Sequence, residues 1–328
     1  MAILVTGGAG YIGSHTVAEL LERGEEVVVI DNLLTGHREA LLGGRLYEGD
    51  LRDKVTLNKL FSENKIDAVI HFAASSLVGE SMKDPVKYYD NNVYGTQCLL
   101  EAMQQAGVDK IVFSSTAATY GEPEKVPIEE TDRTEPANVY GETKLTMERM
   151  MAWFDKVLGI KYVALRYFNA AGAHRSGKIG EDHRPESHLI PLVLQTALKQ
   201  RESIAVFGDD YPTEDGTCVR DYIHVSDLAD AHVRAVNYLR SGSASNIFNL
   251  GNGLGFSVKQ VIETAKKVTG LDIPVVIQER RAGDPAVLVA SSDKARSVLG
   301  WNPQHADVEG IIQSAWNWHS ANPQGYGE

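Results

Sequence analysis

Cysteine is almost missing from this chain of 328 residues. Its two cysteines, Cys98 and Cys218, lie far apart and outside any CxxC spacing, which excludes a disulfide framework and a cysteine zinc cage. Basic charge is also in short supply. With 32 Lys+Arg against 44 Asp+Glu the net charge is −12, which opposes phosphate backbones and anionic lipid surfaces. Neither nucleic acid nor a membrane is expected as a partner. No apolar run reaches the ~18 residues of a membrane span, and the opening "MAILVTGGAG" has no basic stretch of the export type. A reducing, cytoplasmic location is the expectation. The ten histidines show no HExxH or Cys/His ligand spacing, so no metal is expected, and there is no repeat or low-complexity tract.

What the chain does have is 43% apolar residues and an alternation of short apolar runs with helical patterns. The runs at 2–6, 26–31, 68–73, 110–115 and 161–166 are β-branched and nearly continuous, the pattern of strands buried on both faces of a parallel sheet. Helical patterns fall near 11–23, 53–63, 86–106 and 140–158. The order βαβαβ predicts an α/β fold with a doubly wound, Rossmann-like parallel sheet. After about residue 175 the texture becomes loop-rich. We therefore expect a dinucleotide-binding domain over 1–175, with returning segments from about 221–250, and a smaller mixed α/β substrate lobe over 176–328.

The segment "VTGGAGYIGSH" leaves the first strand and opens the first helix. Gly8, Gly10 and Gly13 fit G-x-G-x-x-G, with Gly7 just before, and missing side chains there let backbone amides and a helix N-terminus approach a pyrophosphate. Asp31 ends the second strand, where an acid accepts both ribose hydroxyls of adenosine. A 2′-phosphate beside that carboxylate would meet repulsion of roughly 4 kcal/mol per unit charge at about 4 Å in a dielectric near 20. NAD is favoured over NADP; the nearby cation Arg38 reads as a solvated helix residue. Asp50, in "YEGDLRD", is similarly placed near an adenine.

Of the 13 tyrosines only Tyr140 has a Lys at i+4, so Tyr140 and Lys144 project from one face where a helix begins. Ser114, Ser115 and Thr116 end the preceding strand, and strand C-termini line the ligand crevice of such sheets. A phenol near pKa 10 needs roughly 4 kcal/mol of preferential anion stabilisation to fall by about three units. Lys144 and the positive charge of oxidised NAD can supply it jointly. The chemistry this suggests is removal of a hydroxyl proton by Tyr140 while a hydride leaves the same carbon.

"TGGAGYIG", "DN" at 31–32, "SSTAATYG" and "YGETK" together resemble the extended short-chain dehydrogenase/reductases. "VGES", "YYDNNV", "LRYFNAAGAH", "DYPTEDGT", "VRDYIHVSDLA" and the closing "NPQGYG" narrow the resemblance to the UDP-glucose 4-epimerase family, over essentially the whole chain. The resemblance implies Tyr140 as base, Lys144 on the nicotinamide ribose and Thr116 on the reacting hydroxyl. It implies cofactor contacts from Gly7, Gly10, Tyr11, Ile12, Gly13, Asp31, Asn32, Asp50, Leu51, Phe72, Ala73, Ala74, Asn91, Ser114 and Phe168. Asn169, His188, Leu189, Ala205, Phe207, Arg220, Arg281, Asp284 and Leu288, with Thr116, match positions that hold the UDP-sugar. It further implies inversion of C4 of a UDP-hexose through a transient 4-ketose, tightly held NAD, and a homodimer through the helices near 86–106 and 140–158.

Two positions depart from the family pattern. Ser76 stands where many bacterial members have Lys, and Leu288 stands where members restricted to unacetylated sugars carry Tyr. UDP-glucose and UDP-galactose remain the main expected pair, with N-acetylated sugars open. The competing readings are a sugar-nucleotide 4,6-dehydratase or decarboxylase and a non-catalytic NAD-dependent sensor. A dehydratase carries an acid after the hydroxyl residue, whereas Ala117 and Ala118 follow Thr116 here.

Overall fold

The structure is a computed structural model that describes residues 1–281 and 284–327. Seven strands form the main sheet: β1 (Ala2–Thr6), β2 (Val27–Asp31), β3 (Arg45–Glu48), β4 (Ile66–His71), β5 (Lys110–Ser114), β6 (Lys161–Tyr167) and β7 (Asn246–Leu250). Their order is β7-β6-β5-β4-β1-β2-β3 and every pairing is parallel. All five residues of β1 and of β2 are buried. Such strands need apolar side chains at consecutive positions because both faces are covered.

The alternation along β1 divides the core. Ile3 and Val5 face one layer with Val17 and Leu20 of the helix Tyr11–Glu22 and Leu228 and Val236 of the helix Val225–Arg240. Ala2 and Leu4 face the other, with Leu57, Leu99, Met103, Met147 and Met151. The strand order reverses beside β1, where β2 lies on one side and β4 on the other, and ligands of doubly wound sheets bind off the strand C-termini at that point.

The expected strand at 68–73 runs instead over Ile66–His71. Phe72 and Ala73 leave the sheet because both of their amides donate to the Thr6 carbonyl, at 3.0 and 3.2 Å. The expected helix near 86–106 is one continuous element interrupted by a wide turn: Pro85–Tyr88 is α, Tyr89–Tyr94 is π, and Gly95–Ala106 is α again. A π segment inserts an extra residue per turn and commonly marks functional positions. Here it turns Asn92 inward, where its Oδ1 accepts the Ser75 amide at 2.7 Å and its Nδ2 donates to Thr143 Oγ1 at 3.1 Å.

Beyond β6 a third apolar cluster joins the helices Leu189–Ala197, Val258–Thr269 and Val308–Ala321 to the parallel pair Ile204–Phe207 and Val275–Gln278. The short strand Val219–Arg220 is flanked by Phe256–Ser257 and Val287–Leu288. No helix among the described residues is long and apolar enough to cross a membrane.

Candidate active site

The loop after β1 can be built only from small residues. Gly7 adopts φ +69, and a Cβ on it would lie 2.6 Å from the Ala73 amide nitrogen. A Cβ on Gly13 would lie 2.1 Å from the Gly7 carbonyl oxygen. Gly8 packs instead against Val29 of β2. Gly10 makes no side-chain cap and the first helical turn carries no acid, so the helix N-terminus keeps its amides and positive dipole end for an anionic ligand.

Asp31 is buried at the end of β2 and accepts the Ala9 amide at 2.9 Å and the Leu33 amide at 2.8 Å. Burial pushes its carboxyl up, and the two amides oppose that shift. Asn32 donates to Asp50 at 3.2 Å, and Arg52 grips both Asp50 oxygens, holding that carboxyl down at about 2. Leu51 is buried in the second core, while Ile12 packs on the first. Phe72, Ala73 and Ala74 lie half-buried beyond β4, and Asn91 donates to Ser75 Oγ at 3.1 Å. The Tyr11 hydroxyl donates to the Gly172 carbonyl at 2.6 Å. A cradle of bare glycines, an uncapped helix start and a buried acid on β2 fits a dinucleotide.

Tyr140 opens the helix Val139–Leu158, which Asn138 caps through the Gly141 amide at 2.9 Å. Gly141 has a steric reason to be glycine, since a Cβ there would lie 2.5 Å from the Ala118 carbonyl oxygen. That close approach brings the helix start against the turn beginning at Thr116. Burial pushes the Tyr140 phenol up, and a hydrogen bond from the Thr116 side chain works the other way. Ser81 Oγ accepts the Tyr140 amide at 3.1 Å and fixes the helix start from the other side. Lys144 is buried, and burial lowers its ammonium to about 7 while Glu148 opposes the change. Its Nζ donates to the Ser114 carbonyl at 2.9 Å.

Behind these groups lies a polar layer of which the sequence points only to Ser114 and Ser115. Arg166 and Glu148, each with side chains only 4% exposed, form a two-pronged ion pair at 2.6 and 2.9 Å. Ser115 donates to the same carboxylate, and the Arg166 guanidinium lies 4.8 Å over the Tyr120 ring. Ser114 bonds the Tyr167 hydroxyl. His71 bridges Thr6 and Thr96 at 2.6 and 2.9 Å, and burial drives it down to about 3, so it stays neutral. Ser81 was within reach of sequence reading, since it closes the "VGES" motif; Glu148 and Arg166 gave no signal beyond charge in a buried pattern.

The residues expected around a UDP-sugar fall into two groups. Arg220 pairs with Asp284, Arg281 lies 3.9 Å over the Phe207 ring, and Leu288 is the register partner of Arg220. Ala205 is half-buried on the strand that ends at Phe207. Leu288 and Phe168 pack on Ala117, Tyr120 and Ile128, which joins this group to the turn that carries Thr116. Asn169 donates to the Asp221 carbonyl at 3.2 Å. His188 and Leu189 begin the helix Leu189–Ala197: Leu189 packs into the third cluster and His188 Nδ1 bonds Glu181.

Known proteins of the same kind surround this geometry. A family model described as "NAD dependent epimerase/dehydratase family" matches residues 3–251. The UDP-glucose 4-epimerase of Halalkalibacterium halodurans is 61% identical over 99% of this chain and 98% of its own. A solved UDP-glucose 4-epimerase superposes with TM-score 0.99 at 56% identity, covering 100% of both chains. The Bifidobacterium longum UDP-glucose 4-epimerase, solved with NAD+ and UDP, gives TM-score 0.94 at 40% identity over 99% of this chain and 100% of its own.

Proposed function

The chain belongs to the NAD dependent epimerase/dehydratase family, and we propose that it is an NAD-dependent 4-epimerase of UDP-hexoses, with UDP-glucose and UDP-galactose as its main pair. The observation that carries this reading is the junction at Gly141, which seats the half-buried Tyr140 and the buried Lys144 of one helix face against the Thr116 hydroxyl at the open end of a glycine-cradled sheet.

Residues 1–175, with segments returning from 221–250, form the cofactor part, and 176–328 carry the UDP-sugar. Gly7, Gly10, Tyr11, Ile12 and Gly13 hold the diphosphate of the dinucleotide, and Asp31 with Asn32 holds its adenosine ribose. Asp50, Leu51, Phe72, Ala73, Ala74, Asn91, Ser114 and Phe168 complete its surroundings. NAD, when bound, takes up and returns the hydride of C4.

The chain's own residues do the rest. Thr116 orients the C4 hydroxyl, and Tyr140 removes its proton. Lys144 supplies positive charge beside the phenol, offsetting the burial that disfavours a phenolate. Arg220 and Arg281 grip the diphosphate, to which guanidinium forks are suited, while Asn169, Leu189, Ala205, Phe207, Asp284 and Leu288 shape the remaining pocket. A sugar held only at that end can turn about its bonds to the diphosphate. Once the sugar has turned, Tyr140 returns the proton to O4, and hydride given back by the bound cofactor would reach C4 on the opposite face, which would invert C4 with no net redox change.

The test is proton NMR of purified protein with UDP-glucose and no added reductant. UDP-galactose is the expected product; a 4-keto-6-deoxy sugar would move the assignment to a dehydratase, which the alanines after Thr116 argue against. The assembly we favour is a homodimer, because the outer helices leave Val86, Trp153 and Val157 at 76%, 62% and 70% exposure. Light scattering that returns the mass of one chain would refute it. Cytoplasmic residence fits the two buried free thiols, and recovery of the protein in a periplasmic or secreted fraction would contradict it.

A further inference from the structure

The loop that leads into the helix Leu189–Ala197 reads "EDHRPESH" and matches no familiar ligand spacing. The fold nevertheless gathers four donors from it. Glu181, His183, Glu186 and His188 each offer one ligand atom, and all four atoms lie within 4.8 Å of one another. His183 Nδ1 is 3.3 Å from Glu181 Oε1 and 3.6 Å from Glu186 Oε2. His188 Nδ1 is hydrogen-bonded to that same Glu181 oxygen. Among the described residues no other group of three or more such side chains converges in this way.

An internal salt-bridge cluster is the simplest account of paired His and Glu, and three features go beyond it. Two of the N–O separations, 3.3 and 3.6 Å, match the edges of a tetrahedron, roughly 3.3 Å for metal–ligand bonds of about 2.0–2.1 Å, and an ion would have only to part the hydrogen-bonded His188–Glu181 pair to seat itself. The Glu186 carboxylate is already oriented as a single-oxygen ligand: its Oε1 accepts the Ser187 and His188 amides at 2.7 and 2.8 Å, which leaves Oε2 facing the cluster. Both carboxylate side chains are buried, Glu181 at 3% and Glu186 at 5% exposure, a costly arrangement for anions without a matched cation.

The loop is also held from outside, as the supporting shell of a metal site must be. The Gly180 amide donates to the Tyr326 hydroxyl at 2.9 Å, the Tyr326 amide donates to Asp182 at 3.0 Å, and His37 Nε2 lies 3.1 Å from the Asp182 carbonyl. Arg184 reaches the carbonyls of Gln324 and Gly327 at 3.1 and 3.2 Å. This explains what the closing "NPQGYG" does: it clamps the donor loop.

We infer that Glu181, His183, Glu186 and His188 bind one divalent transition-metal ion, zinc by its donor chemistry, as a structural clasp between the glycine-rich loop and the lobe that begins at Leu189. Two imidazoles disfavour magnesium and calcium, which prefer all-oxygen shells. Two carboxylates, two neutral imidazoles and a dication sum to zero charge, suited to the buried carboxylates, while His188 closes the site from its exposed side. Four protein ligands leave no open position, so the ion is structural and takes no part in the hydride chemistry. Its reach to the cofactor side runs through Tyr11, whose ring meets the His183 ring edge-on at 6.1 Å between centroids.

The experiment uses the full-length protein without an affinity tag, equilibrated with zinc or cobalt(II), desalted, and assayed for metal by mass spectrometry. One ion per chain is expected, with the intense visible absorption of four-coordinate cobalt. His183→Gln and Glu186→Gln are each expected to weaken retention by more than about tenfold. Added zinc should raise the melting temperature of the wild type and not of these variants, and that comparison separates loss of the site from loss of the fold. Negligible metal in the wild type, a weak six-coordinate cobalt spectrum, or equal metal content in wild type and both variants would each overturn the inference.

Discussion

Lys144 hydrogen-bonds a backbone carbonyl rather than the phenol one turn before it. Its Nζ donates to the Ser114 carbonyl at 2.9 Å and lies 5.9 Å from the centroid of the Tyr140 ring. Burial pushes Tyr140 up and brings Lys144 down to about 7, so each group alone favours its neutral form. The pair can work as a base only if a shared neighbour, such as the positive nicotinamide ring, stabilises the phenolate along with the lysine.

Lys144→Met should therefore move the acidic limb of the kcat profile to higher pH by more than about one unit, because removing a cation raises the phenol further. Turnover at neutral pH should fall, and recover in part towards alkaline pH. Tyr140→Phe, in contrast, should lose about 100-fold or more at every pH while keeping its bound cofactor. A pH profile unchanged in Lys144→Met would show that the lysine only positions.

The buried pair beneath the site makes a prediction about stability. Glu148 accepts from Arg166 and Ser115 together, and both charged side chains are cut off from water. Glu148→Gln leaves the Arg166 charge uncompensated and should cost about 3–5 kcal/mol in urea unfolding. The double replacement Glu148→Met with Arg166→Met should recover a large part of that loss, since apolar side chains carry no desolvation penalty. If the double variant is less stable than the single one, the network contributes more than charge neutralisation.

How much of this was open to sequence reading follows from the range of the interactions. Continuous apolar runs such as "AILVT" identify strands covered on both faces, and the glycine spacing locates the cradle, because these are local patterns. Strand ends were less legible: Phe72 looks like strand but leaves the sheet for the Thr6 carbonyl. Nothing local announces the π turn at Tyr89–Tyr94, which exists to carry Asn92 to Ser75 and Thr143. Glu148 and Arg166 are 18 residues apart and meet only because a helix crosses the sheet. The direction of Lys144 was invisible for a related reason, since its partner is a backbone carbonyl, which every residue possesses.

Asp50 offers a test of linkage at low pH. Its carboxyl is held at about 2, first by the Arg52 side chain, against roughly 3.9 in an unfolded chain. A depressed carboxylate contributes stability that is fully present above pH ~4 and is lost as pH falls through ~2. Arg52→Gln should remove this contribution, about 1 kcal/mol after solvent screening, and raise the midpoint of acid unfolding. Identical acid-unfolding curves for the two proteins would mean that Asn32 and the Arg52 backbone amide suffice.

Leu288 is the position at which we expect the choice between plain and N-acetylated sugars to be made. It pairs in register with Arg220 and packs with Phe168 against Ala117, beside Thr116. On the reading proposed above, a side chain there would border both the diphosphate grip and the reacting hydroxyl, so its bulk would limit the room beside the hexose ring. Leu288→Tyr adds an aromatic ring at that border. Crowding of one or two heavy atoms in a pocket is worth roughly 10- to 200-fold in kcat/KM. UDP-N-acetylglucosamine should therefore lose at least about tenfold in Leu288→Tyr, while UDP-glucose stays within about threefold of wild type. Parallel losses for both sugars would mean that the substitution disturbs the Arg220 strand itself, and that the choice between acetylated and plain sugars is made at another position.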